Sequence, residues 1–386
     1  MRQPVGPFLS WFLCSTFALG LAPGCKHKRV HEPVEEAEES ASSPQSTDFV
    51  VAFLYGGARD EDGFNEAHRA GEAAVGRMMN VKVIHEDNVP EGSGAMNYLE
   101  KVVTLRGASM VFATGANQFD PPVLEAAKKH PKLPFFHAGG LYQEGKHPAN
   151  VGSYLGYLDE AFYVCGVVAG MTTRSNKLGF IAGLGNAASL RNVDAFTLGA
   201  RSVNPRVTTA VLFTNSWSDA KAEEKAANAL ADKKVDVLAS FVRSPRAILM
   251  TAEKRGIYSI GVHSDGAALA PKGHLTAAVS SWEKIYTDYV TAVRDGKAFS
   301  HVVRGGFGDG FVNIAPFGPA VSEQTKAKAL EVRSKLMQGK LTIFKGPLRD
   351  NRGASVLRAG QEVVAKDVSL EMMGYLVEGV VGSIPD

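Results

Sequence analysis

Rings, amides and carboxylates recur at or just after short apolar runs: Tyr55, Phe64, Asn65, Phe119, Asp120, Trp217, Asp219, Asp265 and Trp282. Rings held at loop tips can stack on the faces of a flat heterocycle, and carboxylates or amides beside them can take up its N–H groups. Singly, each has a plainer explanation: Phe64 as a hydrophobic staple, Asn65 as a helix N-cap, and the other rings as core packing. Their recurrence on one side of successive strands is what points to a ligand site. Signatures of covalent chemistry do not accompany them, for the chain has no GxxxxGK[ST], HExxH, CxxC or GxSxG. Gly183-Leu184-Gly185-Asn186-Ala187-Ala188 fits GxGxxA after a strand. A dinucleotide site wants that loop on the first strand of its domain and an acidic residue about 20 positions on, and here Phe213-Thr214-Asn215-Ser216-Trp217 comes instead, so no cofactor is expected. The ten histidines show no metal-ligand spacing, and His263 stands at a strand end without a second ligand, so no metal is expected.

The elements that must position these side chains alternate. Phe49-Val50-Val51-Ala52-Phe53-Leu54 is a continuous apolar run ended by Gly56-Gly57, the pattern of a parallel strand buried on both faces. Further strands are expected at Val81–His85, Met110–Thr114 and Pro134–His137, with helices at Glu66–Met79, Met96–Arg106 and Pro121–His130 between them. A second series begins after the apolar stretch Ala161–Met171. Its strands are expected at Lys177–Ala182, Thr208–Thr214, Val235–Phe241 and Tyr258–Val262, and its helices at Leu190–Val203, Ala220–Ala231 and Arg246–Arg255. Repeated βαβ units argue α/β architecture with parallel, doubly wound sheets, and two such series argue two lobes. Each lobe then offers its strand carboxyl ends to a shared cleft. Past Leu275 come a strand, a helix through Tyr286–Arg294, the Gly-rich Arg304–Gly310 and an amphipathic helix Glu323–Met337, which cross back between lobes.

The 386 residues, 45% hydrophobic, are enough for large buried cores. With 42 basic against 40 acidic residues and no basic patch interleaved with aromatics, nucleic acid is a poor candidate partner. Residues 1–25 have the form of a secretory signal, from Arg2 through the apolar Phe8–Ala22 to Leu21-Ala22-Pro23-Gly24-Cys25. That ending resembles a lipobox, with Cys25 as the lipidated residue. Residues 26–47 are charged and Ser/Pro-rich and read as a solvated tether. Cys165, in an apolar run, reads as a small packing residue whose thiol burial disfavours as a nucleophile.

Several longer stretches carry a resemblance: DEDGFN at Asp60–Asn65, FATGANQFDPPVLEAAKKHP from Phe112, AGMTTRSNKLGFIAG from Ala169, DAFTLGARSVNP from Asp194, TNSWSDA from Thr214, IGVHSDG from Ile260, HLTAAVSSW from His274, FKGPLRDNRG from Phe344 and the terminal LVEGVVGSIP. Together they resemble the basic membrane protein family of bacterial ABC-transporter substrate-binding lipoproteins, which includes purine nucleoside receptor A, over nearly all of Phe49–Asp386. The resemblance implies a type I periplasmic-binding-protein fold with two lobes joined by a three-strand hinge. It also implies a purine nucleoside or nucleobase between the lobes, and permease and ATPase subunits as partners. Stacking by Phe64 and by Trp217 or Trp282, with Asp265 as acceptor, is what it implies for the site. Leu184–Arg191 departs from the family's Pro-rich loop there. The expected partition is 48–155 with 275–305 in one lobe and 156–274 with 306–386 in the other. Two other functions compete: an enzyme such as a nucleoside hydrolase or oxidoreductase, and a surface receptor for a thiamine-like ring or sugar that takes no part in transport.

Overall fold

The structure is a computed structural model in which residues 48–385 are described. The expected signal segment, tether and Cys25 lie outside the described residues.

The first lobe is built on strands β1 (Phe49–Leu54), β2 (Val81–Glu86), β3 (Met110–Ala113), β4 (Phe135–Ala138) and β5 (Val151–Gly156). The second uses β6 (Lys177–Ala182), β7 (Thr208–Phe213), β8 (Val237–Phe241), β9 (Tyr258–His263) and β10 (His274–Ser280). Two further strands, β11 (Val302–Gly305) and β12 (Val312–Ile314), divide between the lobes. The helices are α1 (Phe64–Gly76), α2 (Ala95–Glu100), α3 (Leu124–Lys129), α4 (Asp159–Thr172), α5 (Ala187–Val203), α6 (Ala220–Asp232), α7 (Arg246–Arg255), α8 (Glu283–Arg294) and α9 (Glu323–Met337).

The first sheet runs β11-β5-β4-β3-β1-β2, all parallel, and the second runs β12-β10-β9-β8-β6-β7, with β12 antiparallel at its edge and Val380–Val381 added beside β7. The apolar run of β1 is buried on both faces, with Ala52 and Leu54 in one core cluster of the first lobe and Val51 and Phe53 in the other. In each sheet the strand order reverses beside the first strand of its series, between β1 and β3 and between β6 and β8. Loops on either side of such a reversal splay apart and leave a crevice. This is a type I periplasmic-binding-protein fold, two doubly wound lobes joined by a hinge.

The chain passes between the sheets after β5, after β10 and after β11, which makes three hinge crossings. The expected partition differs at the second of these. It assigned 275–305 to the first lobe, yet β10 pairs with β9, Ala278 opposite Val262, and Leu275 sits in the second-lobe core. The crossing comes at Ser281-Trp282, after which α8 packs on α1 so closely that a Cβ on Gly71 would stand 2.5 Å from the Tyr286 ring. Helices α4 and α5 are pressed together in the same way, with ideal Cβ atoms at Gly166 and Gly199 reaching 2.0 Å from opposing carbonyl oxygens. Cys165 is buried in α4, and burial raises its thiol pKa.

Residues after Lys345 stay with the second lobe, where Leu348, Leu370, Met373, Leu376 and Val377 join its core. Glu371, in the short 3-10 turn Val368–Met372, points back toward the hinge. No helix among the described residues is long and apolar enough to cross a membrane.

Candidate ligand site

Where the two sheet reversals face each other, a cavity of ≈ 150 Å³ is walled by Phe64, Trp217, Phe241, His263 and Trp282, with Arg243 at its side. Each wall residue has an identifiable support. Phe64 opens α1 immediately after Gly63, in the loop that leaves β1. Trp217 comes after β7 and lies against the backbone of Gly183, where a Cβ would stand 2.7 Å from the indole. Gly183, the first residue of the GxGxxA match, therefore makes room for a ring. Asn186 in the same motif accepts from the Ser189 N–H at 3.1 Å and caps α5, whose first turn brings Ala188 to the cavity. The departure at Leu184–Arg191 thus falls at the cleft.

Trp282 stands at the second hinge crossing, 2% exposed, with its indole stacked on His68 at 4.7 Å and 10°. His68 is fixed in turn by Tyr286, whose hydroxyl is 2.6 Å from Nδ1 and 2.8 Å from the Tyr154 hydroxyl. One face of Trp282 is therefore taken. What it adds to the cavity is a wall; its Nε1–H is buried and, among the described residues, has no partner.

His263 ends β9 at φ 67°, in a three-residue turn closed by the Ser264 N–H donating to the Val262 carbonyl at 2.9 Å. A left-handed conformation is costly for a residue with a Cβ and is found where side-chain direction matters. Here it turns the imidazole to the cavity, edge-on to Phe64 at 5.2 Å and 78°. Burial lowers its pKa to about 3, so the ring is neutral at any physiological pH. Its Nδ1 lies 3.2 Å from the Ser280 hydroxyl, which leaves Nε2 for a ligand.

Sequence reasoning brought Phe64, Trp217 and Trp282 to one place, and the structure brings them to the same cavity. The other candidates are engaged elsewhere. Tyr55 is buried and donates its hydroxyl to Glu72. Asn65 is not the cap of α1, a position held by Gly63; its side chain donates to the Ala58 carbonyl at 3.2 Å and its N–H to Glu61 at 3.1 Å, and burial lifts the Glu61 carboxyl to about 7. Phe119 packs on His137 and on Gly140, where a Cβ would stand 2.4 Å from its ring. Asp120 is exposed before a cis Pro121. Asp219 caps α6, accepting from the Lys221 and Ala222 N–H groups, and Asp265 accepts from the Ala267 N–H at 3.0 Å. Among the described residues no carboxylate lines the cavity. Phe241, Arg243 and His263 are the named cavity residues that the sequence did not single out. His263 carried a signal, an imidazole at the end of a buried strand in the second series, but was weighed only as a metal ligand. Among the described residues no cluster of three or more metal-ligating side chains occurs.

The lobes are closed over this cavity. The Phe64 N–H donates to the Arg243 carbonyl at 2.8 Å, the Arg243 guanidinium donates to the Gly56 carbonyl at 2.9 Å, and Arg246 pairs with Asp62. Arg243 also reaches Glu91 at 3.5 Å. All four contacts join opposite lobes.

The family model described as ABC transporter substrate-binding protein PnrA-like matches residues 49–345. The chain belongs to that family. A purine-binding protein of Brucella abortus is 32% identical over 87% of this chain and 93% of its own length. A putative ABC transporter glucose-binding protein of Haloferax volcanii is 27% identical over 69% of this chain and 64% of its own. Among solved structures, a solute-binding protein of an ABC transporter system from Conexibacter woesei superposes with a TM-score of 0.63 at 22% identity, covering 76% of this chain and 97% of that one. This last likeness concerns the fold.

Proposed function

We propose that the protein is the extracytoplasmic receptor of an ABC importer, that it holds a purine-type base between its lobes, and that it hands this solute to permease and ATPase subunits. The observation that carries the reading is the closed aromatic cavity at the facing sheet reversals. Phe64 from one lobe and Trp217 from the other supply ring faces for a flat solute, while His263 Nε2 supplies an edge contact. The purine-binding relative in Brucella abortus supports the same chemistry. At ≈ 150 Å³ the cavity falls below the roughly 300–1,000 Å³ of ordinary ligand clefts, which favours a free base over a base carrying a pentose. A sugar would want several charged or amide groups around its hydroxyls, and a cationic ring would want a carboxylate.

Mass spectrometry of small molecules released on denaturing freshly purified protein, and then calorimetry with hypoxanthine, adenine, their nucleosides, thiamine and glucose, tests this reading. Bases are expected to bind at least tenfold more tightly than nucleosides. Binding of glucose or thiamine in preference to every purine would overturn the reading, and turnover of any nucleoside would replace it with the enzyme.

The leader ending in Leu21-Ala22-Pro23-Gly24-Cys25 supports export and attachment through a lipidated Cys25, which would keep the receptor at the membrane. Cys25→Ala is expected to move the protein from membrane to soluble fractions with affinity unchanged; unaltered partitioning would exclude the anchor.

A further inference from the structure

Residues 346–385, past the stretch matched by the family model, do more than cover the second lobe. Leu370 and Met373 bury in the second-lobe core on either side of Glu371, so that lobe fixes where the carboxylate stands. The carboxylate itself grips the hinge. It accepts from Arg304 Nε at 2.6 Å and Nη2 at 3.4 Å, and from the Tyr157 hydroxyl. Arg304 belongs to β11, the edge strand of the first sheet, and is tied further into that lobe by donation to the Gly140 carbonyl at 3.1 Å and the Ser153 hydroxyl at 3.3 Å. Tyr157 is the first residue past β5, and the guanidinium of Arg191, on α5 of the second lobe, lies 4.1 Å over its ring. One carboxylate anchored in the second lobe therefore holds residues at two of the three hinge crossings.

We infer that Glu371 is a positioning residue for ligand binding, and that the C-terminal segment clamps the hinge and favours the closed arrangement. The side chains of Arg304 and Glu371 are 4% and 10% exposed, so the pair is nearly dry; charge-assisted bonds there are strong and directional, and neither group can be left alone without penalty. The lobes rotate about the crossings that Tyr157 and Arg304 occupy. Lobe rotation changes the angle between a carboxylate fixed in the second lobe and a guanidinium fixed in the first, and bonds this directional resist that change. The bridge coexists here with the closed cleft, where Phe64 meets Arg243. A ligand that binds the closed state gains apparent affinity from anything that populates that state beforehand. Glu371 is absent from the cavity wall, so its influence runs through the hinge alone.

The test uses the full chain with two readouts, the radius of gyration of the ligand-free protein by small-angle scattering and the affinity for hypoxanthine. Glu371→Gln is expected to enlarge the ligand-free particle and to weaken hypoxanthine binding five- to fiftyfold, chiefly through faster release. Tyr157→Phe, which keeps the ion pair and loses one hydroxyl, should show a smaller change in the same direction and serves if Glu371→Gln does not fold. A folded Glu371→Gln with unchanged particle size and affinity would overturn the clamp, as would a more compact particle that binds more tightly. If Glu371→Gln does not fold, Tyr157→Phe indistinguishable from wild type in both readouts would overturn it. Scattering alone decides the matter if hypoxanthine is not bound, so failure of the ligand assignment is separable from failure of this inference.

Discussion

Gly63→Ala is expected to weaken ligand binding by at least a hundredfold while leaving both lobes folded. A Cβ at this position would stand 2.1 Å from the Arg243 carbonyl oxygen and 3.0 Å from the Ser244 Cα, both on the opposite lobe. Backbone meets backbone there, so no side chain can turn aside. The clash exists only when the lobes are together, because both atoms it meets belong to the opposite lobe. The variant should therefore unfold at close to the normal temperature and yet be unable to close. The Phe64 N–H would lose its carbonyl partner at 2.8 Å, and Phe64 would be held back from the cavity. Scattering should show no compaction when hypoxanthine is added, and calorimetry should show weak binding or none. Wild-type affinity in this variant would mean that the closed arrangement is not the one that binds.

The second large effect is expected from the two ring faces. Phe64→Ala and Trp217→Ala should each weaken binding of a purine base by about ten- to a hundredfold, since an aromatic stack on a base is worth roughly 1–3 kcal/mol. Trp217→Phe should lose less, because a smaller ring can still lie against Gly183. Phe64 has a competing role as a staple, being wedged edge-on against His68 at 4.4 Å and His263 at 5.2 Å. The two roles separate experimentally. A staple alone predicts a lower melting temperature with unchanged affinity, measured by calorimetry where the variant is still folded, and that result would remove Phe64 from the site.

The sheets were legible because several of their strands are written as apolar runs, β1 and β3 most plainly. Strand β5 was not, since VGSYLG interrupts its apolar residues with Gly152, where a side chain would collide with the Phe136 ring at 2.6 Å. Nor could the sequence say that β10 stays with the second sheet, because both sheets accept a buried strand of small residues. The convergence of Phe64, Trp217 and Trp282 was legible from their places at or just after strand ends, which topology gathers on one side. The carboxylates misled for a local reason. Asp219 and Asp265 bond to N–H groups two or three residues onward, the commonest use of an Asp after a strand, and such bonds turn the side chain away from the cleft. Arg243 could not have been found, because its reach to Gly56 exists only once the lobes have met.

Trp282 belongs both to the cavity wall and to a hinge crossing. A point near the axis of a rotation travels least, whereas Phe64 and Trp217, which stand on opposite lobes, part from each other as hinged lobes separate. The indole is also braced from behind by His68, Tyr286 and Tyr154, none of which depends on the second lobe. The back of the site therefore stands ready in the open molecule, and an arriving solute has a fixed landing place before the moving rings reach it. Capture becomes a two-stage event: the landing place governs which solutes linger, and the moving rings govern how long they stay.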